Sequence, residues 1–252
     1  MTDGNSIMIK VANRGLAILD KMLNIFIVIC SILILSISLY SLLDVYMQYK
    51  QANDESSLLF KPALDEPIDK SEFISDAQVG WVHIYETRID YPIMQGEDNY
   101  EYLNKDPFGD FKLSGSIFMD YRNAKDFSDS YTLIYGHHME FGAMFGALDE
   151  FVDEDYFNNH RRGRIVTGNK VYDYMVFAVI KTDAYNKTIF KPFGRGKDEV
   201  EEYIKDNHVI YKEPDNDGRF VALSTCTSDG DQTRLILVGT IIEKEKTFDE
   251  EK

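Results

Sequence analysis

The hydrophobic pattern of the chain changes twice. From position 22 to 43 it reads MLNIFIVICSILILSISLYSLL, 22 positions without a charge. A helix rises about 1.5 Å per residue, so this run spans roughly 33 Å, close to the thickness of a hydrocarbon core. The run is apolar on every side, which a helix packed in a soluble core rarely is. It is longer than the apolar part of a secretory signal peptide, and no small-residue cleavage site follows it. A retained transmembrane anchor over 22–43 is expected. Lys10, Arg14 and Lys21 precede it against Asp3 and Asp20, whereas Asp44, Asp54 and Glu55 follow it with Lys50. Basic flanks stay on the cytoplasmic side. That rule places 1–21 inside the cell and everything after 43 outside.

Residues 44–75 are polar, and Pro62 and Pro67 interrupt any long helix, which predicts a stalk followed by short helices packed on the domain. Beyond 75 the pattern becomes short runs of Val, Ile, Tyr and Phe separated by Gly, Asp and Asn. Strands are predicted at 79–84, 88–94, 116–121, 131–135, 164–167, 171–182, 220–226 and 234–243. Eight short strands with turn signals between them favour an all-β domain closed into an eight-stranded barrel, 76–243. Two stretches break the pattern. Residues 142–151 with 153–159 read as one or two short helices. In 198–207, Val200, Tyr203 and Ile204 share one helical face, which adds a helix before the penultimate strand. A charged tail, 244–252, completes the chain, which shows no internal repeat.

The composition, 44% hydrophobic and 28% charged, suits a folded domain with a core. A net charge of −16 without a positive stripe argues against a nucleic-acid partner. There are two cysteines, Cys30 in the apolar run and Cys226 far beyond it. If the run crosses a bilayer the two cannot meet, and Cys226 is a thiol without a disulfide partner.

Cys226 ends a predicted strand and opens into the polar loop TSDGDQT, where a strand fixes a group and a loop exposes it. The bland alternative is a buried cysteine acting as a small hydrophobe. A thiol becomes nucleophilic only when a base or cation takes up or favours loss of its proton. Of five histidines, His137 and His138 follow the strand 131–135 at Gly136, whose backbone freedom would permit a sharp turn. His83, His160 and His208 read as structural or surface residues. Arg234 starts the strand after Cys226, so a hairpin-like return brings it near the thiol, where a guanidinium could hold an oxyanion. Taken alone, such an arginine is more often a surface ion pair. Zinc is disfavoured: adjacent histidines at a strand end point opposite ways, and no second cysteine completes a site.

These residues resemble the motifs of a known family. LSTCT at 223–227, followed by Arg234, resembles the TLxTC…R signature of sortases, and YGHHM at 135–139 resembles the motif that carries their histidine. IDYPIMQGEDNYEYL at 89–103 and GSIFMDYRN at 115–123 are similar to class B sortases in particular. The likeness covers about 70–243. The first signature position holds Ala222 in place of the usual Thr.

The resemblance implies a sortase-type eight-stranded barrel and a membrane-anchored cysteine transpeptidase of a Gram-positive surface, the added helix being a class B feature. By motif, Cys226 is the nucleophile, His137 the acid and base, and Arg234 the oxyanion or substrate stabiliser, with His138 an ambiguous neighbour. Ser224, Asn99 and Leu103 match substrate-contact positions. The implied partners are surface proteins bearing a C-terminal sorting signal, NPQTN-like or related and cut after Thr, and a peptidoglycan amine as acceptor. No cofactor is implied, since acyl transfer at a thiol needs neither redox chemistry nor a metal. Two other readings stay open: a cysteine endopeptidase that hydrolyses the same thioester, and a non-catalytic wall-binding barrel.

Overall fold

The computed structural model describes residues 3–52, 56–139, 142–192, 194, 196–226 and 232–244. The chain forms two compact units, Met1–Gln48 and Tyr49–Lys252. In the first, a single helix, α1 (Asp3–Ala52), contains a stretch long and apolar enough to cross a membrane, Asn13–Met47. Its serines are accommodated within the helix itself: the hydroxyls of Ser31, Ser36 and Ser38 donate to carbonyls four residues earlier at 2.9, 2.8 and 2.9 Å. Polar groups in a lipid-spanning helix need such partners, because no water reaches them. The helix runs on past 43 to Ala52, so the first part of the predicted stalk is helical.

In the second unit, 3-10 turns at Ser56–Phe60 and Lys70–Glu72 flank an extended segment that packs on the barrel. Ile68, 2% exposed, lies against Trp81, Val166 and Val171. Lys61 pairs with Asp90 at 2.5 Å, and Asp65 receives both Arg164 and Lys244 at 2.7 Å. Residues 56–75 are therefore docked rather than free.

The described residues include nine strands, β1 (Gln78–Ile84), β2 (Asp90–Met94), β3 (Ile117–Met119), β4 (Tyr131–Tyr135), β5 (Arg162–Val166), β6 (Val171–Asp183), β7 (His208–Tyr211), β8 (Arg219–Cys226) and β9 (Thr233–Glu243). Eight close a barrel in the order β5-β1-β2-β3-β4-β8-β9-β6, sealed by β5 against β6. The predicted strands match these eight in order. β7 is the addition: β5 occupies one edge of β6 from Val171 to Met175, and β7 takes the same edge at Ala178–Ile180. The predicted 142–159 region is a 3-10 stretch, Phe145–Val152, followed by α2 (Glu154–Asn159), whose N-cap Asp153 accepts from Tyr156 N. The added helix, α3 (Lys197–Asn207), lies where predicted, with β7 interposed before the penultimate strand. The tail beyond Lys244 lies outside the described residues.

Strand alternation divides the core in two. Val221, Leu223, Ile134 and Leu237 fill the barrel. Their neighbours Phe220, Ala222, Leu133 and Ile236 point outward and are covered by Ile189 of the β6–α3 loop and by Val200 and Ile204 of α3. The helix thus converts one outer face of the sheet into buried surface, and the cleft described below opens at the end of that face.

Candidate active site

β4 and β8 pair in parallel, so both strands run out at the same rim, and β9 returns antiparallel from there. His137 follows β4 by two residues, Cys226 is the last residue of β8, and Arg234 is the second of β9. Tyr135 is in register with Ser224, and Cys226 with Arg234. Topology therefore brings the end of β4 beside a β8–β9 hairpin that lies about 90 residues further along the chain. The side chain of Cys226 and the loop 227–231 lie outside the described residues.

A cleft of about 330 Å³ opens at this rim, lined by Asn99, Leu103, Tyr135, His137, Ser224 and Arg234 among others. The side chains of Asn99, Leu103, His137, Ser224 and Arg234, named from the sequence, meet there. Ser224 is 1% exposed, and its hydroxyl has no hydrogen-bond partner among the described residues. A guanidinium N–H of Arg234 donates to Thr233 O at 3.1 Å. The two adjacent histidines part company: His137 lines the cleft, whereas His138 Nε2 meets Asp149 Oδ2 at 2.7 Å beside a different surface depression.

His137 Nε2 lies 2.8 Å from the carbonyl oxygen of Leu103. A carbonyl only accepts, so Nε2 carries hydrogen, and Nδ1 is the ring nitrogen that can gain and lose the reacting proton. Leu103 thus contributes its backbone as well as its side chain. Gly136, which precedes His137, is needed for space rather than for turning: a Cβ there would lie 2.5 Å from Ile117 Cδ1 and 2.7 Å from Phe145 Cδ2. Its amide continues the β4–β8 pairing by donating to Ser224 O at 3.1 Å.

Three residues not named as candidates from the sequence complete the wall, Arg122, Tyr135 and Phe190, and a fourth, Asp120, lies buried behind it. Asp120 is fully buried at the end of β3, and Arg122 grips it through Nε and Nη2 at 2.8 and 2.7 Å. Burial alone would raise the Asp120 carboxyl, but hydrogen bonds from Arg122 and Asn99 outweigh it and hold the group below the usual carboxylate range. Burial, with the Asp120 charge second, pushes the Tyr135 hydroxyl far up, so it stays protonated and donates to Asp120 at 3.0 Å. Tyr135 also stacks on Phe190, ring centroids 6.4 Å apart. The available signal was DYR at 120–122, an acid and an arginine two apart directly after an apolar strand. No group of three or more His, Cys, Asp or Glu side chains among the described residues is arranged to hold a metal ion.

A cysteine at a strand end in register with an arginine, with a tautomer-fixed histidine just beyond the neighbouring strand, is an arrangement that suits thiol acyl transfer. Residues 82–242 match the family model described as the sortase domain, and the chain belongs to the sortase family. Its relatives define the class. It is 34% identical over 187 residues to sortase B of Listeria monocytogenes, an alignment covering 71% of this chain and 75% of that protein. Sortase B of Staphylococcus aureus is 31% identical over 182 residues, 68% of this chain and 72% of that one. A crystal structure of a Streptococcus pyogenes class B sortase involved in pilus biogenesis superposes with a TM-score of 0.63 at 41% identity, covering 67% of this chain and 94% of that chain. The chain is a class B sortase, a cysteine transpeptidase.

Proposed function

We propose that this enzyme is held in the membrane by residues 22–43, with 1–21 in the cytoplasm and the barrel outside, and joins surface proteins to peptidoglycan. The observation that carries the assignment of roles is the register of Cys226 with Arg234 beside a cleft that also holds His137 and Ser224. Cys226 passes its proton to His137 Nδ1 and attacks the carbonyl carbon of the Thr in an NPQTN-like sorting signal. Arg234 and backbone N–H groups hold the tetrahedral oxyanion. The C–N bond breaks as His137 returns the proton to the leaving amine, which leaves the surface protein as a thioester on Cys226. An amine of a peptidoglycan stem or cross-bridge then attacks the thioester, and the proton it loses goes by way of His137 to the departing thiolate. Asn99, Leu103 and Ser224 contact the signal peptide. Tethering enzyme, secreted substrate and wall precursor to one surface raises their effective concentration.

The test is the intact mass of the full chain in detergent after incubation with peptides containing Asn-Pro-Gln-Thr-Asn or Asn-Pro-Lys-Thr-Asn. The expected result is a mass gain equal to the segment ending in Thr, absent in Cys226→Ala and discharged by an added amine. Discharge by water alone in the presence of a good amine makes the enzyme a peptidase. Wild-type behaviour of Cys226→Ala overturns the assigned nucleophile.

A further inference from the structure

Asp120 has no exposed side-chain surface, yet its two oxygens accept five hydrogen bonds. Oδ1 takes Arg122 N at 3.0 Å and Arg122 Nε at 2.8 Å. Oδ2 takes Arg122 Nη2 at 2.7 Å, Asn99 Nδ2 at 2.9 Å and Tyr135 OH at 3.0 Å. The network extends at both ends. Arg122 Nη2 also donates to Phe190 O at 2.9 Å, which ties the β6–α3 loop to the barrel. Asn99 Oδ1 accepts from Tyr121 N at 3.0 Å, so the Asn99 amide is fixed at both its donor and its acceptor.

The groups gathered here come from four separate segments, the turn at 99, the end of β3, the end of β4 and the β6–α3 loop, and Asn99, Arg122, Tyr135 and Phe190 all line the cleft. A fully satisfied buried network holds its members rigidly, and an arginine fork on a carboxylate fixes direction as well as distance. We propose that Asp120 is the positioning residue for substrate recognition: this one buried carboxylate sets the relative placement of Asn99, Tyr135 and the Phe190 segment, the wall that grips the peptide, without itself touching the peptide. The inference rests on the cleft being the signal-peptide cleft.

His137 is held by other means. Its ring is fixed by Leu103 O, and the turn that carries Leu103 has its own supports. Asp98 Oδ1 accepts from Tyr100 N and Glu101 N at 2.8 and 2.9 Å, and Tyr102 O accepts from Ser116 N at 3.0 Å. Loosening the Asp120 network should therefore weaken peptide binding and leave the reacting groups in place.

The experiment compares the full chain in detergent with Asp120→Asn, with the paired variant Asp120→Asn/Arg122→Gln, and with Tyr135→Phe. The paired variant matters because Asp120→Asn alone strands the half-buried Arg122 charge, which can destabilise the fold for reasons unrelated to recognition. Readouts are thermal unfolding, cleavage of the same two peptides carrying a dye and quencher, and the rate at which iodoacetamide alkylates Cys226. The paired variant is expected to stay folded, with KM raised at least tenfold and kcat within threefold. Its alkylation rate and pH–rate profile are expected to match those of the unaltered chain. Tyr135→Phe, which removes a single donor, raises KM by about threefold. A folded variant with unchanged KM overturns the proposal. So does a fall in kcat accompanied by altered alkylation, which would put Asp120 in control of the reacting groups. Failure of both Asp120 variants to fold also overturns it, because Asp120 would then secure the barrel rather than the wall. If the unaltered chain cleaves neither peptide, the reading of the cleft fails first, and the proposal with it.

Discussion

Ser224 sits at the base of the cleft, 1% exposed, with a hydroxyl that no described residue satisfies. A buried hydroxyl without a partner is a cost to the folded state, and a substrate that supplies the partner recovers it on binding. Ser224→Ala is therefore expected to leave Tm unchanged or slightly raised. It should also lower kcat/KM for a sorting peptide roughly 2- to 12-fold, the worth of one hydrogen bond of about 0.5–1.5 kcal/mol. Thermal unfolding and peptide cleavage measured together check this, and a fall in Tm with unchanged kcat/KM refutes it. Cys226, His137, Arg234, Ser224, Asn99 and Leu103 could be named as candidates because each stands in a short local motif, and all but Cys226, whose side chain lies outside the described residues, line one cleft. Asp120 could not be named in this way. Its direct partners lie 2, 15 and 21 residues away, and Phe190 is reached one hydrogen bond further through Arg122; the local DYR pattern shows the pair with Arg122 but none of the distant partners.

At the scale of elements, the site depends on parallel pairing of β4 with β8, which delivers two strand ends to one rim. The join between β4 and His137 is tight. Gly136→Ala would drive a methyl into Ile117 and Phe145, and overpacking of this kind costs about 1–3 kcal/mol. The expected outcome is a Tm lowered by several degrees and peptide cleavage reduced at least tenfold as His137 is displaced from Leu103 O. Unchanged unfolding and cleavage would show that the rim has slack that these distances deny. Eight strands were legible from alternating runs bounded by turn residues. β7 was missed because HVIY at 208–211 is four residues long and follows α3 without a break, so its strand character comes from the free edge of β6 beyond β5. Gly136 was noticed for a different reason than the one that applies: the sequence suggests backbone freedom, and the packing shows a lack of room.

For the whole molecule, the decisive relation is that of an apolar helix to an acidic, folded unit. The candidate span Asn13–Met47 has none of its apolar window buried, so lipid is the environment that suits it. On the proposed orientation, a protease added to intact cells is expected to attack the part of the chain beyond the helix and to spare a tag at the N-terminus. Loss of the tag with the barrel intact would reverse the orientation.

The sequence by itself determined the apolar span, the order of eight barrel strands, the added helix and the candidate residues for the chemistry. These are local properties, set by period, length and residue type within windows of 5–20 positions. Only the tertiary structure decided which of two adjacent histidines lines the cleft, that Leu103 fixes the tautomer of His137, and that a buried carboxylate joins four segments of the wall. Those features depend on which distant strands become neighbours, and in a barrel that is settled by closure of the whole sheet rather than by any one segment.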